Sequence, residues 1–207
     1  MLRMFLMVMS LGITASAAAQ SYTVDPEAGR NTFSAVFDAP LGERIMADSS
    51  AVGCNFKLTG LIAGGHCAVA LTSIKVDADA TKTEHFEQWS TNKKVAPDKC
   101  EYALDFDAVK LSAPLAEGQR VPFTGPVKVT VCGRHRDDGG SETVNGTATV
   151  LPDGLLKIRA EIKGFNRESY GVSPKNTAGW LARVQQLAPV VNATGDIEVN
   201  VFATQVK

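Results

Sequence analysis

The chain has 207 residues, 44% of them hydrophobic, with 21 Lys and Arg against 22 Asp and Glu for a net charge of −1. That balance carries no footprint for nucleic acid, which calls for a basic patch or stripe. The length suits one good core and fits a single β domain.

The first predicted element is a targeting segment. Arg3 precedes an uncharged run from Met4 to Ile13, and Ala17-Ala18-Ala19 fits the small-x-small pattern that a signal peptidase cuts. The run is shorter than the roughly 20 residues that span a bilayer. The expectation is a secretory signal over residues 1–19, removed to leave a soluble periplasmic or secreted domain over residues 20–207. Losing Arg3 leaves 20 basic against 22 acidic residues, a charge of −2.

Strand-like pieces dominate the remainder. Thr32–Phe37 is aromatic and β-branched. Asn55–Ile62 leads to a predicted turn at Ala63-Gly64-Gly65, and Ala68–Val76 resumes the strand pattern. Glu101–Leu111 puts Tyr102, Leu104, Phe106 and Ala108 on one face. Val127, Val129 and Val131 share a face, as do Val144, Gly146, Ala148 and Val150. Leu156, Ile158, Ala160 and Ile162 form another set, and Ile197, Val199 and Val201 the last. Such alternation marks strands with one buried and one wet face. Roughly eight of them joined by short turns predict an all-β domain, an antiparallel barrel or sandwich. Two helices are predicted, Ala80–Trp89 and Asn176–Leu187; the second carries Trp180, Val184 and Leu187 on one stripe.

Four cysteines, Cys54, Cys67, Cys100 and Cys132, lie beyond the signal. An even number in an exported chain suggests two disulfides, for which four cysteines allow three pairings. If the strand Val127–Val131 runs back along Glu101–Leu111, Cys100 meets Cys132, leaving Cys54 for Cys67. Strict alternation opposes this, because it places Cys100 with Tyr102 and Cys132 opposite to Val131; the bridge needs a bulge or a strand end. The C-x-x-H spacing of Cys132 and His135 is the one metal-like pair, too little for a structural zinc site, so no metal is expected.

Between two alternating strands lies GRHRDDGG (133–140). Asp-Gly and Gly-Gly form hairpin turns, so the segment reads as a solvated tip. Arg134, His135 and Arg136 could instead meet an anionic headgroup at a barrel rim. Arg167 in FNRESYG reads first as a residue paired with a carboxylate at a barrel corner, and His85 as part of a helix packed on the barrel end; both are polar rim candidates. The sequence holds no G-x-S-x-G elbow, H-E-x-x-H, P-loop or dinucleotide fingerprint, so no catalytic residue and no cofactor is expected.

Several segments in order resemble the YceI-like family of exported, lipocalin-like proteins. They are Tyr22-Thr23-Val24-Asp25-Pro26, Ser73-Ile74-Lys75-Val76-Asp77, Lys82-Thr83-Glu84-His85-Phe86, the strand Val127–Cys132 with its charged turn, Phe165-Asn166-Arg167-Glu168-Ser169-Tyr170-Gly171-Val172, and Gly195–Val201. The chain departs from the common pattern in its four cysteines, in Cys132 where His is usual, and in Thr83 where an acidic residue is usual. The resemblance implies a single antiparallel barrel of about eight strands with an elongated apolar tunnel for a polyisoprenoid or another long-chain amphiphile.

On that reading the candidate wall residues are Phe33, Phe37, Leu71, Tyr102, Leu104 and Phe106, with Val129, Val131, Ile158, Ile162, Val199 and Val201. The expected partner is a hydrophobic small molecule such as a polyisoprenoid, an isoprenoid quinone or a fatty-acid-like lipid. Two alternatives stay open: a secreted interaction or structural barrel whose core is filled, and an enzyme acting on a lipid.

Overall fold

The computed structural model describes residues 19–176 and 191–206. The predicted signal segment, apart from Ala19, and the predicted helix 176–187, apart from Asn176, lie outside the described residues.

Eleven strands form among the described residues: β1 (Gln20–Val24), β2 (Thr32–Asp38), β3 (Arg44–Ser49), β4 (Val52–Thr59), β5 (Ile62–Ala70), β6 (Lys75–Val76), β7 (Glu101–Leu111), β8 (Arg120–Val131), β9 (Glu142–Val150), β10 (Leu156–Asn166) and β11 (Thr194–Val206). One α-helix, α1 (Ala80–Ser90), lies between β6 and β7. Eight strands close a ring in the order β1-β4-β5-β7-β8-β9-β10-β11 and back to β1, with every neighbour antiparallel. The all-β, eight-stranded closed barrel that the alternation and the resemblance predict is the architecture observed. Closure leaves the ring without free edges.

The ring has a split seam. β11 pairs through Gly195–Asn200 with β2 and through Thr204–Val206 with β1. β2 passes on to β3, and β3 to the two-residue β6, so at one end the wall splays into an arm. Helix α1 packs against β6 and against the 3-10 turn Pro174–Asn176 at that end. Asn31 holds the split together. It is 1% exposed, donates through Nδ2 to the Asp25 and Val52 carbonyls, and accepts at Oδ1 from the Phe202 N–H. Each buried polar group of its amide is thereby paired, as burial requires.

The predicted helix Ala80–Trp89 is α1, one residue longer. Asp79 caps it by accepting from the Lys82 N–H at 2.9 Å. Inside α1, the Thr83 hydroxyl accepts from the Val76 N–H, which ties the helix to β6.

Four sequence expectations need correction. The turn between β4 and β5 falls at Gly60-Leu61, and Ala63-Gly64-Gly65 lies inside β5. Gly65 is a strand glycine because a Cβ there would overlap the Phe56 backbone across the pair. Second, the strand predicted to run to Val76 ends at Ala70, where a 3-10 turn over Leu71–Ser73 takes the chain off the wall. Third, Ala108 is exposed and Val109 buried, because the pairing of β7 shifts register on both sides beyond Asp105 and Phe106 and the inward phase changes. Fourth, β8 begins at Arg120, well before Val127. Prolines 122 and 126 conceal its start. Pro126, which has no N–H to give, sits where the β7–β8 ladder is interrupted.

Candidate functional site

The inward phase of the strands builds the site. Leu104 stands opposite Val129, Ile158 opposite Val201, and Phe33 opposite Val199. Val129, Val201 and Phe33 are buried, whereas Leu104, Ile158 and Val199 on the same inner face are only half-buried. The surface they leave bare faces the interior of the barrel, which is hollow. The cavity amounts to about 160 Å³, against the 10–15 Å³ that one water needs on the same measure. Nearly all of its wall is aliphatic or aromatic carbon.

Of the twelve predicted wall residues, nine line this cavity: Phe33, Tyr102, Leu104, Phe106, Val129, Ile158, Ile162, Val199 and Val201. Three do not. Leu71 is buried in the 3-10 turn after β5, off the wall. Val131 is fully buried, at the end of β8 next to the Cys132 bridge. Phe37 lies at the splayed end, where its ring covers Gly195 so closely that a Cβ there would overlap it. Sequence reasoning missed other wall residues, among them Phe56, Leu58, Val109, Leu111, Leu115 and Phe123. Phe123 and Leu115 lie in the proline-containing stretch that gave no clean alternation. Phe123 packs on Gly146 of β9, where a Cβ would overlap the ring.

A second cavity of about 170 Å³ occupies the splayed end. Ala35, Phe37, Ile45 and Ala47 of the β2–β3 arm line one side, and Lys82, His85, Phe86 and Trp89 of α1 another. Phe165, Arg167, Val172 and Val191 complete it. It is the more polar of the two, yet its cations are already engaged. Lys82 Nζ pairs with Asp77 at 2.8 Å and Glu43 at 3.2 Å. Arg167, 4% exposed, donates to the carbonyls of Val172 (2.6 Å), Val191 (2.8 Å) and Asn192 (3.2 Å), and its guanidinium lies 5.3 Å from the Trp89 ring centroid. Burial draws the Arg167 pKa down. The expected carboxylate partner of Arg167 is thus replaced mainly by backbone carbonyls; Glu168 stands off at 3.8 Å.

The other two polar rim candidates serve the frame. Arg134 donates to the Ser90 carbonyl at 2.5 Å and the Thr91 carbonyl at 3.3 Å, at the C-terminus of α1, where a cation complements the helix dipole. Arg136 pairs with Asp138 at 2.9 Å and with Glu142 at 3.2 Å. The hydroxyl of Tyr170 also donates to Glu142, at 2.8 Å. The charged tip 133–140 is therefore a self-neutralising turn attached to the barrel end. His85 lines the second cavity from α1.

Both disulfides join the pairs that the hairpin argument favoured. Cys54 and Cys67 are direct cross-strand neighbours on β4 and β5. Cys100 precedes β7 and Cys132 follows β8 with a φ of +47°, so both lie at strand ends and the alternation conflict disappears. Among the described residues no cluster of three or more His, Cys, Asp or Glu could hold a metal.

A closed antiparallel barrel around an apolar hollow places the molecule in the class of lipocalin-like barrels. Among solved structures the chain is similar to a polyisoprenoid binding domain from Saccharophagus degradans implicated in plant cell wall breakdown, with a TM-score of 0.65 over 93% of this chain and 100% of that one, at 10% sequence identity. The likeness is one of fold. No family model matches the sequence, and no curated protein does.

Proposed function

We propose that this protein is an exported carrier of a long-chain hydrophobic or amphiphilic ligand, such as a polyisoprenoid, an isoprenoid quinone or a fatty-acid-like lipid, held by its tail inside the barrel. The observation that carries this reading is the half-bare inner face: Leu104, Ile158 and Val199 point inward and meet space instead of one another. A filled core would have buried them completely. The wall offers almost no hydrogen-bonding groups, so binding energy comes from withdrawing methylenes from water, about 0.8 kcal/mol each. The fold shared with a polyisoprenoid-binding domain supports the same class of ligand. Two disulfides support an oxidising compartment and with it the export reading.

Native mass spectrometry of protein purified from membranous hosts tests the proposal. The expected outcome is a population heavier than the polypeptide by the mass of a lipid, released by organic extraction. Bare polypeptide from several unrelated hosts, together with no uptake of a fluorescent fatty probe, would count for the filled or purely structural barrel.

A further inference from the structure

The two cavities share two lining residues, Tyr102 of β7 and Ile197 of β11. Tyr102 stands between the aromatic rings of both sides. Its ring lies 6.2 Å from that of Phe33, a wall residue of the barrel cavity, and is stacked at 5.8 Å on Phe86, a wall residue of the end cavity. Its hydroxyl is 2.9 Å from that of Ser90, which is 0% exposed at the end of α1. Ser90 is in turn held, because Arg134 takes its carbonyl and the Trp89 carbonyl accepts from Asn176 at 2.6 Å. A bulky ring therefore crosses the hollow between two walls and is tethered by its far end to a fixed helix terminus.

We propose that Tyr102, with Ile197 on the same shared boundary, is the residue that sets how long a chain this barrel accepts, by closing the barrel cavity off from the one beneath α1. This rests on the carrier reading above and adds the determinant of length. The tail fills the barrel cavity up to the Tyr102 ring. A longer chain gains no further contact, because entering the second cavity would require the ring to leave Phe86 and its hydroxyl to leave Ser90.

The test uses the full protein after removal of bound lipid, with saturated fatty acids of graded length competing against a fluorescent fatty-acid probe. In the wild type each added methylene is expected to tighten binding roughly fourfold until the cavity is full, after which affinity levels off. In Tyr102→Ala the levelling moves to longer chains, and in Ile197→Ala it moves the same way, which keeps the test open if one variant fails to fold. Tyr102→Phe keeps the wild-type limit, since the bulk of the ring is the barrier. The inference is overturned if the limit stays put in both alanine variants, if the wild type shows no limit, or if Tyr102→Phe shifts as far as Tyr102→Ala. Failure of every chain to compete in wild type and variants alike would instead remove the carrier reading itself.

Discussion

All three tyrosines of the chain have pKa values raised above the ordinary value of 10, and for each the leading cause is burial, which disfavours the phenolate. Tyr102 is pushed up to about 12. Tyr170 is raised also by donating to Glu142, because a neighbouring carboxylate opposes a second negative charge. Such a group stabilises the folded chain fully below its unfolded pKa, and that contribution is lost as pH rises toward the folded value. Stability from this source should hold to about pH 10 and fall between pH 10 and about 12. Urea midpoints across that range check the fall, and tyrosinate absorbance of the native protein should show no group titrating at the ordinary value. A native tyrosine ionising near 10 would contradict the burial described for it.

Among single residues, the sequence exposed those whose face is set by alternation along their own strand and hid those whose role depends on partners elsewhere in the chain. Leu104, Ile158 and Val199 were legible because period two alone assigns them a face. Arg167 was singled out, yet its carbonyl partners come from Val172 and the distant Val191 and Asn192, which no local pattern announces. Arg134 looked like a free rim cation. Its use at the end of α1 depends on a contact more than forty positions away in sequence.

At the scale of elements, the hairpins carry most of the information and the irregularities conceal the rest. β7 was readable to its last residue, but its change of phase was not, because a bulge is a property of the pair and not of either strand. β1 and β3 escaped notice because each is short, five and six residues, although each pairs along its whole length with a neighbour, β1 with β4 and β3 with β2. The disulfides brace two neighbouring hairpins, β4–β5 and β7–β8, across separations of 13 and 32 residues. In the chain-entropy view, removing the first as a Cys54→Ala, Cys67→Ala pair should cost about 3 kcal/mol and removing Cys100–Cys132 in the same way nearly 4 kcal/mol, roughly. Denaturant midpoints of the two double variants should fall in that order. The reverse order would mean that native packing around Cys54 and Cys67 outweighs loop length.

For the whole molecule, the decisive property is space. The composition and alternation of the strands fit a packed interior as well as a hollow one, so only the structure separates them. A side chain added inside the hollow should consume the ligand's volume without disturbing a packed core. Ala160, half-buried on the cavity wall, suits this purpose. Ala160→Trp is expected to weaken binding of a long-chain probe by roughly tenfold or more, the equivalent of about 1.4 kcal/mol, while the thermal midpoint stays near wild type. A large loss of stability with binding intact would mean that the space is occupied in the ligand-free protein by relaxed side chains.

The split seam bears on how the molecule comes into being. β1 lies near one end of the polypeptide and β11 near the other, with Ser21 paired to Val206 and Tyr22 to Gln205. A ribosome making this chain delivers one half of that junction long before its mate. Until β11 emerges, β1, β2 and β10 all wait with unmatched backbone, and the cylinder is an open curl. Long-range pairing of this kind folds slowly, so closure of the hollow has to follow synthesis of β11.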